Sequence, residues 1–126
     1  MSVLLDTQAF LWWVADDQKL TRRARATITN ERCFLSIASC WEMAIKASLG
    51  KLQLPHPVNR FLQEQLEVNG FTLLPISLEH AAAVADLPFH HRDPFDRLLA
   101  AQAHLEDMAI VSSDPAFKAY GVKRIW

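Results

Sequence analysis

Short apolar runs separated by helical segments are the feature that most constrains this fold. Ser2–Leu5 is short, largely apolar and ends sharply at Asp6, and similar runs follow at Cys33–Ser36, Phe71–Leu74 and Met108–Val111. Continuous apolar runs, rather than alternating ones, are typical of strands in a parallel sheet that is buried on both faces by helices. The pattern therefore predicts an α/β fold, a three-layer α/β/α sandwich with a mostly parallel central sheet.

Helix signals fill the intervals between these runs. Thr7 is predicted to cap a helix over Ala9–Ala15, which is apolar nearly all round. Its aromatic side chains predict that the helix packs against both its own core and a protein partner. The remaining predictions are a helix capped by Thr21, one over Ala38–Leu49 ended by Gly50, one over Val58–Asn69 ended by Gly70, one capped by Ser77, one capped by Asp93, a short one at Pro115, and a closing edge strand over Val122–Trp126.

Length and composition indicate one soluble domain. The 126 residues, 51% hydrophobic and 21% charged, are predicted to form a single domain over 1–126 with a substantial core. A formal net charge of −1 provides no global field to recruit nucleic acid. The two cysteines, Cys33 and Cys40, are predicted to be buried free thiols. Because no basic leader and no apolar segment of membrane-spanning length is present, we expect a cytoplasmic protein without a membrane partner.

Two acidic residues directly follow predicted strands. Asp6 and Asp114 lie just beyond the carboxyl ends of the first and fourth runs. The carboxyl ends of parallel strands are where open α/β sheets bind ligands. Asp96 lies on the first turn of an otherwise apolar helix, and Glu42 is surrounded by apolar neighbours in its helix. We therefore expect Asp6, Glu42, Asp96 and Asp114 to converge at this edge.

Each of the four residues also has an ordinary structural explanation. Asp6 and Asp114 could cap helices, and Asp96 could complement a helix dipole. Glu42 could pair with Lys46 four residues later. Asp93, three residues before Asp96, is assigned to the cap of its helix, which leaves Asp96 free for a site.

A cluster of carboxylates needs either raised pKa values or a cation. Two like charges ~4 Å apart repel by roughly 4 kcal/mol at an effective dielectric of 20. Oxygen ligands, with hydroxyls such as those of Thr7 and Ser112 nearby, suit Mg²⁺ or Mn²⁺ rather than zinc. Sites of this kind catalyse phosphoryl chemistry, in which metal ions bind a phosphodiester oxygen and generate the nucleophile.

Four segments, in order, carry a resemblance to a known family. They are Leu4–Thr7, Trp41–Lys46, Arg92–Ala103 and Val111–Phe117. Together they resemble PIN domains, and most closely the VapC-type toxins of bacterial toxin–antitoxin pairs. The resemblance covers the whole chain, and its one departure is Ser112, where the family often has Thr.

The resemblance implies both a fold and an activity. The fold is the PIN α/β/α sandwich, and the activity is that of a Mg²⁺- or Mn²⁺-dependent endoribonuclease. The metal-binding and catalytic residues would be Asp6, Glu42, Asp96 and Asp114. The implied partners are an RNA substrate, a cognate VapB-like antitoxin that occludes the site, and a second copy of the chain in a homodimer.

Two other functions remain as alternatives. A phosphatase of the haloacid dehalogenase type also begins with a strand that ends in Asp, but it needs a second Asp where this chain has Gln8. The non-catalytic alternative is an α/β protein-interaction module whose carboxylates only cap helices. Arg97 is predicted to form an ion pair or to contact a substrate phosphate. The pair His90–His91 is predicted to be incidental.

Overall fold

A computed structural model describes residues 1–55 and 57–126, which leaves out His56. The strands are β1 (Ser2–Leu5), β2 (Arg32–Ser36), β3 (Thr72–Leu74), β4 (Ala109–Val111) and β5 (Arg124–Ile125). The helices are α1 (Thr7–Val14), α2 (Arg22–Asn30), α3 (Ile37–Ser48), α4 (Val58–Asn69), α5 (Leu78–Ala83), α6 (Pro94–Leu105) and α7 (Ala116–Ala119), with a 3₁₀ turn at Val84–Asp86.

All strand pairs in the sheet are parallel, as the apolar runs predicted. The strand order is β3-β2-β1-β4-β5. The chain builds outward from β1 in one direction through β2 and β3, and then returns to place β4 on the other side of β1. This reversal leaves a crevice at the carboxyl ends of β1 and β4, where ligands bind in open α/β sheets.

The side chains of β1 divide the core into two layers. Val3 and Leu5 pack into one apolar cluster, and Leu4, between them, packs into the other. Successive side chains of a strand point to opposite faces, so a continuous apolar strand contributes to both clusters. The first cluster contains side chains of α1, α2 and α4, and the second contains side chains of α6 and α7. The predicted three-layer sandwich is confirmed.

The beginning of α1 differs from the prediction. Asp6, rather than Thr7, is the N-cap, and its side chain accepts a hydrogen bond from the Ala9 backbone N–H. Thr7 is instead the first helical residue, and its hydroxyl is available for another contact. The helix ends at Val14, one residue before the predicted Ala15. Either residue type can cap a helix, so the sequence did not distinguish them.

The other helix ends agree closely with the sequence signals. Thr21, Ser77 and Asp93 accept the hydrogen bonds expected of N-caps. Gly50 and Gly70 follow α3 and α4 with φ values of 72° and 65°, in the left-handed region that favours glycine.

The aromatic side chains of α1 pack within the chain. Phe10 is fully buried against Phe61 and Phe71. Trp12 packs on Trp126, and the indole N–H of Trp13 donates to Asn69. Both tryptophans keep part of their surface exposed, so the predicted partner of this helix stays a prediction.

Two further sequence expectations concern the thiols and the membrane. Both cysteines are free, and burial raises the pKa of each to about 11. Cys33 is buried as predicted, whereas Cys40 is half-buried. Among the described residues, no helix is both long and apolar enough to cross a bilayer.

Candidate active site

The four acidic residues singled out in the sequence line one cleft. Asp6 and Asp114 approach it from the ends of β1 and β4, Glu42 from α3, and Asp96 from the first turn of α6. The cleft has a volume of about 230 Å³. It lies at the crevice where the strand order reverses. Its remaining walls are formed by Thr7, Gln8, Leu11, Lys46, Asp93 and Ser113.

Asp6 is a carboxylate that the fold buries almost completely. Its backbone N–H donates to Val111 O at 3.1 Å, which ties the end of β1 to β4. Its Oδ1 accepts from Ala9 N–H at 2.7 Å, and its side chain is only slightly exposed. Burial raises the pKa of Asp6 to about 6, and repulsion by Asp114 and Glu42 adds to this. A hydrogen bond from Ser112 opposes the rise.

Glu42 is buried, and both of its oxygens are engaged. Oε1 accepts from the Thr7 hydroxyl at 2.7 Å, and Oε2 accepts from Lys46 Nζ at 2.7 Å. The pair with Lys46 predicted from sequence is therefore present, but it is not a simple surface pair because Glu42 is only 6% exposed. The hydrogen bond with Glu42 raises the pKa of Lys46, and the charges of Asp93 and Asp96 act in the same direction.

Asp96 carries the largest perturbation among the acids of the cleft. Burial raises the pKa of Asp96 to about 7, and the negative charge of Asp93 is the second cause. A charge on His91 lowers this pKa, and the charges of Asp6 and Glu42 raise it by smaller amounts. Asp93 itself caps α6, since its Oδ1 accepts from Phe95 N–H at 2.8 Å. The capping role assigned to Asp93 is confirmed, and its charge also acts on Asp96.

Asp114 has one oxygen committed to the backbone and one directed to a histidine. Oδ1 accepts from Ala116 N–H at 2.9 Å, so Asp114 holds the start of α7. Oδ2 lies 2.7 Å from His91 Nε2, which is also 3.1 Å from Asp96 Oδ2. Ser112 is fully buried, and its hydroxyl accepts from Asp114 N–H at 3.0 Å.

The structure corrects two interpretations of neighbouring residues. Within the part of the chain that the structure describes, Arg97 pairs with no carboxylate and is not among the residues that line the cleft. Its guanidinium is buried and donates to the backbone carbonyls of Val84, Leu87 and Pro88. His91, which was predicted to be incidental, joins two of the predicted acids. Arg97 donates to carbonyls of an irregular loop, and His91 lies in that loop and contacts acids of other elements. Local sequence patterns do not encode contacts of either kind.

Sequence reasoning also missed the contribution of the segment just before α6. The available signal was the position of His91, two residues before the cap residue Asp93. At this spacing the His91 ring accepts from Asp93 N–H at 3.0 Å. The segment therefore supplies both the cap of α6 and a histidine that contacts two acids of the cleft.

Comparison with known proteins identifies the family. Residues 3–123 match the PIN domain family. The chain belongs to the PIN domain family. The cleft described above is thus a feature of a PIN domain.

Individual relatives agree with this assignment. This PIN domain is 30% identical over 121 residues to "Ribonuclease VapC22" of Mycobacterium tuberculosis, an alignment that covers 94% of this chain and 92% of the relative. This similarity supports the resemblance to VapC-type proteins that the four sequence segments carry.

Two solved structures share the fold. FitAB bound to IR36 DNA matches with a TM-score of 0.71 at 23% identity, covering 98% of this chain and 93% of that one. A toxin–antitoxin complex from Klebsiella pneumoniae matches with a TM-score of 0.59 at 15% identity, covering 89% and 86%.

Proposed function

We propose that this protein is a divalent-metal-dependent endoribonuclease and the toxin of a VapBC-type toxin–antitoxin pair. Residues 1–126 would form one ribonuclease domain. The PIN family match and the similarity to a VapC ribonuclease support the reaction class. The structural observation that carries the proposal is the convergence of Asp6, Glu42, Asp96 and Asp114 on one cleft.

The donor set of the cleft fits a hard divalent cation. All four acids offer carboxylate oxygens, and two of them have pKa values raised by burial and by repulsion from their neighbours. A cation would relieve that repulsion, and oxygen ligands suit Mg²⁺ or Mn²⁺. We propose that the four acids hold Mg²⁺ or Mn²⁺. When bound, such an ion polarises a phosphodiester and lowers the pKa of water.

The other polar residues of the cleft would orient the site. Thr7 holds one oxygen of Glu42, and Lys46 holds the other, so the carboxylate has a fixed orientation. Ser112 plays the same role for the backbone of Asp114. Lys46 is also half-exposed at the edge of an acidic cleft, where its ammonium group could meet an RNA phosphate.

The Asp96→Asn variant tests the proposal. Asn has nearly the same shape but no charge, so we expect RNA cleavage to fall by at least 10²-fold while the fold is retained. Cleavage is measured by mapping products from total cellular RNA, with purified protein, in Mg²⁺, in Mn²⁺ and in EDTA. Asp86→Asn, at an exposed aspartate, is the matched control.

The outcomes separate the parts of the proposal. Full cleavage by Asp96→Asn would overturn the site assignment. If the wild-type protein still cleaves RNA in EDTA, the protein is a ribonuclease but the proposed metal dependence is wrong. A folded wild-type protein that cleaves no RNA would favour the non-catalytic interaction module.

The proposed macromolecular partners are an antitoxin and a second copy of the chain. One of the solved structures with this fold is a toxin–antitoxin complex from Klebsiella pneumoniae. An apolar groove of about 660 Å³ along α1 shares Gln8, Leu11 and Lys46 with the acidic cleft. An antitoxin segment in this groove would reach the cleft and block it. The homodimer and the cytoplasmic location follow from the VapC resemblance, and sedimentation velocity tests the former.

A further inference from the structure

His91 lies where two elements of the cleft meet. The residue precedes α6, and its ring is only partly exposed. Its Nε2 atom lies 2.7 Å from Asp114 Oδ2 and 3.1 Å from Asp96 Oδ2. Asp96 belongs to α6 and Asp114 follows β4, so this one nitrogen contacts carboxylates from two different elements that line the cleft.

The other ring nitrogen determines what Nε2 can do. Asp93 N–H donates to His91 Nδ1 at 3.0 Å, and this bond requires a lone pair on Nδ1. A neutral imidazole carries one proton, so that proton is on Nε2. The Nε2–H group then donates to Asp114 Oδ2 and lies 3.1 Å from Asp96 Oδ2.

The backbone of His91 is held as well. Its N–H donates to the Tyr120 hydroxyl at 2.9 Å. Arg97 contacts the same hydroxyl at 3.4 Å and donates to Pro88 O at 2.9 Å, three residues before His91. The ring is thus fixed through its own backbone, through Nδ1 and through Nε2. Such a rigid donor is suited to setting the positions of other side chains.

We propose that His91 is a positioning residue, which orients Asp96 and Asp114 through Nε2–H and is not itself a metal ligand. The proposal rests on the proposed function in one respect, that these two carboxylates hold a divalent cation. Outer-shell partners of this kind fix ligand orientation and commonly change metal affinity 10- to 100-fold when removed.

The rival assignment is that His91 binds the metal directly. One ligand atom each from His91, Asp96 and Asp114 lie within 4.8 Å of one another, a spacing that a metal ion could bridge. Ligation through Nε2 would move the proton of the neutral ring to Nδ1. The Nδ1 proton would then face the Asp93 N–H, and two donors cannot share a hydrogen bond. The hydrogen bond from Asp93 N–H to Nδ1 would therefore be lost.

Nitrogen NMR of the histidine ring distinguishes the two assignments. The full chain is labelled with ¹⁵N-histidine, and the His91 signals are assigned by their loss in His91→Gln. At mildly alkaline pH we expect the Nε2-protonated tautomer without metal, and the same tautomer after Mg²⁺ or the diamagnetic, imidazole-binding ion Zn²⁺ is added. A proton on Nδ1, or an Nε2 signal that shows metal coordination, would overturn the proposal.

Metal affinities provide a second, independent readout. We expect His91→Ala to weaken Mg²⁺ and Ni²⁺ binding equally, by about tenfold, in titration calorimetry. His91→Gln should restore most of this affinity because its amide retains N–H donors. The exposed His104, in the last turn of α6, provides the control variant His104→Ala, which should bind both ions as wild type does.

Each contrary result has a separate meaning. If both His91 variants lose Ni²⁺ affinity far more than Mg²⁺ affinity, His91 is a ligand, because imidazole suits Ni²⁺ and not Mg²⁺. Unchanged affinity in His91→Ala would overturn the positioning role and leave the proposed function intact. Wild-type protein that binds neither ion would overturn the proposed function and the positioning role with it. Circular dichroism verifies that each variant folds.

Discussion

Arg97 shows how a buried charge can hold a loop beside the acidic cleft without lining the cleft itself. Its side chain is 7% exposed and lies over the ring of Phe89 at 4.3 Å. Three of its hydrogen bonds go to carbonyls of residues 84–88. A guanidinium has five donors in a fixed planar arrangement, so it can hold an irregular loop whose carbonyls point inward. The loop leads directly to His91.

Replacement of Arg97 by Met should therefore affect stability first. We expect Arg97→Met to lower the free energy of unfolding by roughly 3 kcal/mol, because buried carbonyls lose a charged donor. Urea unfolding measures the loss, and Arg92→Met, at an exposed arginine in the same segment, should change little. A variant with wild-type stability and weakened RNA binding would instead indicate that Arg97 contacts a substrate phosphate.

The helix α6 combines two requirements at its first turn. Its body packs into the core through Leu99, Ala100 and Ala103, which fixes the axis of the helix. Its N-terminus emerges at the cleft, where Asp93 caps the backbone and Asp96 faces the other acids. The capping carboxylate is thus also the neighbour that contributes most, after burial, to the raised pKa of Asp96.

Two substitutions at Asp93 separate its cap from its charge. We expect Asp93→Ala to cost about 1 kcal/mol of stability, because the Phe95 N–H loses its acceptor. Asp93→Asn keeps a cap and removes the charge, so stability should be retained and the pKa of Asp96 should fall. Chemical denaturation and carboxyl ¹³C NMR measure the two effects.

Thr21→Ala is the control for this experiment. Thr21 caps α2, so its loss should cost a similar amount of stability without changing the pKa of Asp96. If Asp93→Asn left that pKa unchanged, the repulsion between Asp93 and Asp96 would be shown to be negligible.

The elements were predictable where a single physical signal dominated. Apolar runs identified the first four strands, and Gly70 marked the end of α4 because φ there is positive. Asp6 and Thr7 both cap helices well, so local chemistry did not decide between them. In the structure Asp6 caps α1, and the Thr7 hydroxyl instead donates to Glu42.

The four acids of the candidate site were predictable, because two follow strand ends and the other two, Glu42 and Asp96, stand out in apolar helices. Asp6 and Asp114 follow strands that parallel pairing brings side by side. The contact of His91 with Asp96 and Asp114 depends on how an irregular loop folds, and no periodicity encodes that. The burial of Arg97 against loop carbonyls is a tertiary feature of the same kind.

At the scale of the whole molecule, charge is distributed unevenly. The formal net charge is only −1, yet the cleft gathers five carboxylates around one lysine. A polyanion such as RNA is repelled by that cleft unless cations compensate its charge. Divalent cations would therefore be needed for substrate binding as well as for chemistry, and the same carboxylates should link folding stability to pH.

The sign of that link follows from the raised pKa values. The pKa of Asp96 in the folded state is about 7, whereas an aspartate in the unfolded chain has its ordinary pKa of 3.8. Between these values the folded state binds more protons, so the contribution of Asp96 to stability decreases as pH rises. Asp6, with a folded pKa of about 6, acts in the same direction over a narrower range.

We therefore expect metal-free wild-type protein to lose stability relative to Asp96→Asn as pH rises from about 4 to 7. The loss should be on the order of 3 kcal/mol, at about 1.4 kcal/mol per unit of pKa. Urea unfolding of both proteins in EDTA gives this difference directly and cancels contributions from titrating groups elsewhere. Asp86→Asn, at an exposed residue, should show a constant difference from wild type.

Addition of Mg²⁺ completes the experiment because it competes with the same protons. Bound cation favours the charged carboxylates, so Mg²⁺ should stabilise the wild type strongly above pH 7 and weakly near pH 5. Asp96→Asn should gain much less at either pH, since it lacks one of the proposed ligands. If the difference in unfolding free energy between wild type and Asp96→Asn does not change between pH 4 and pH 7, Asp96 is ionised in the folded protein without a bound cation. The cleft would then be too well solvated to need a cation.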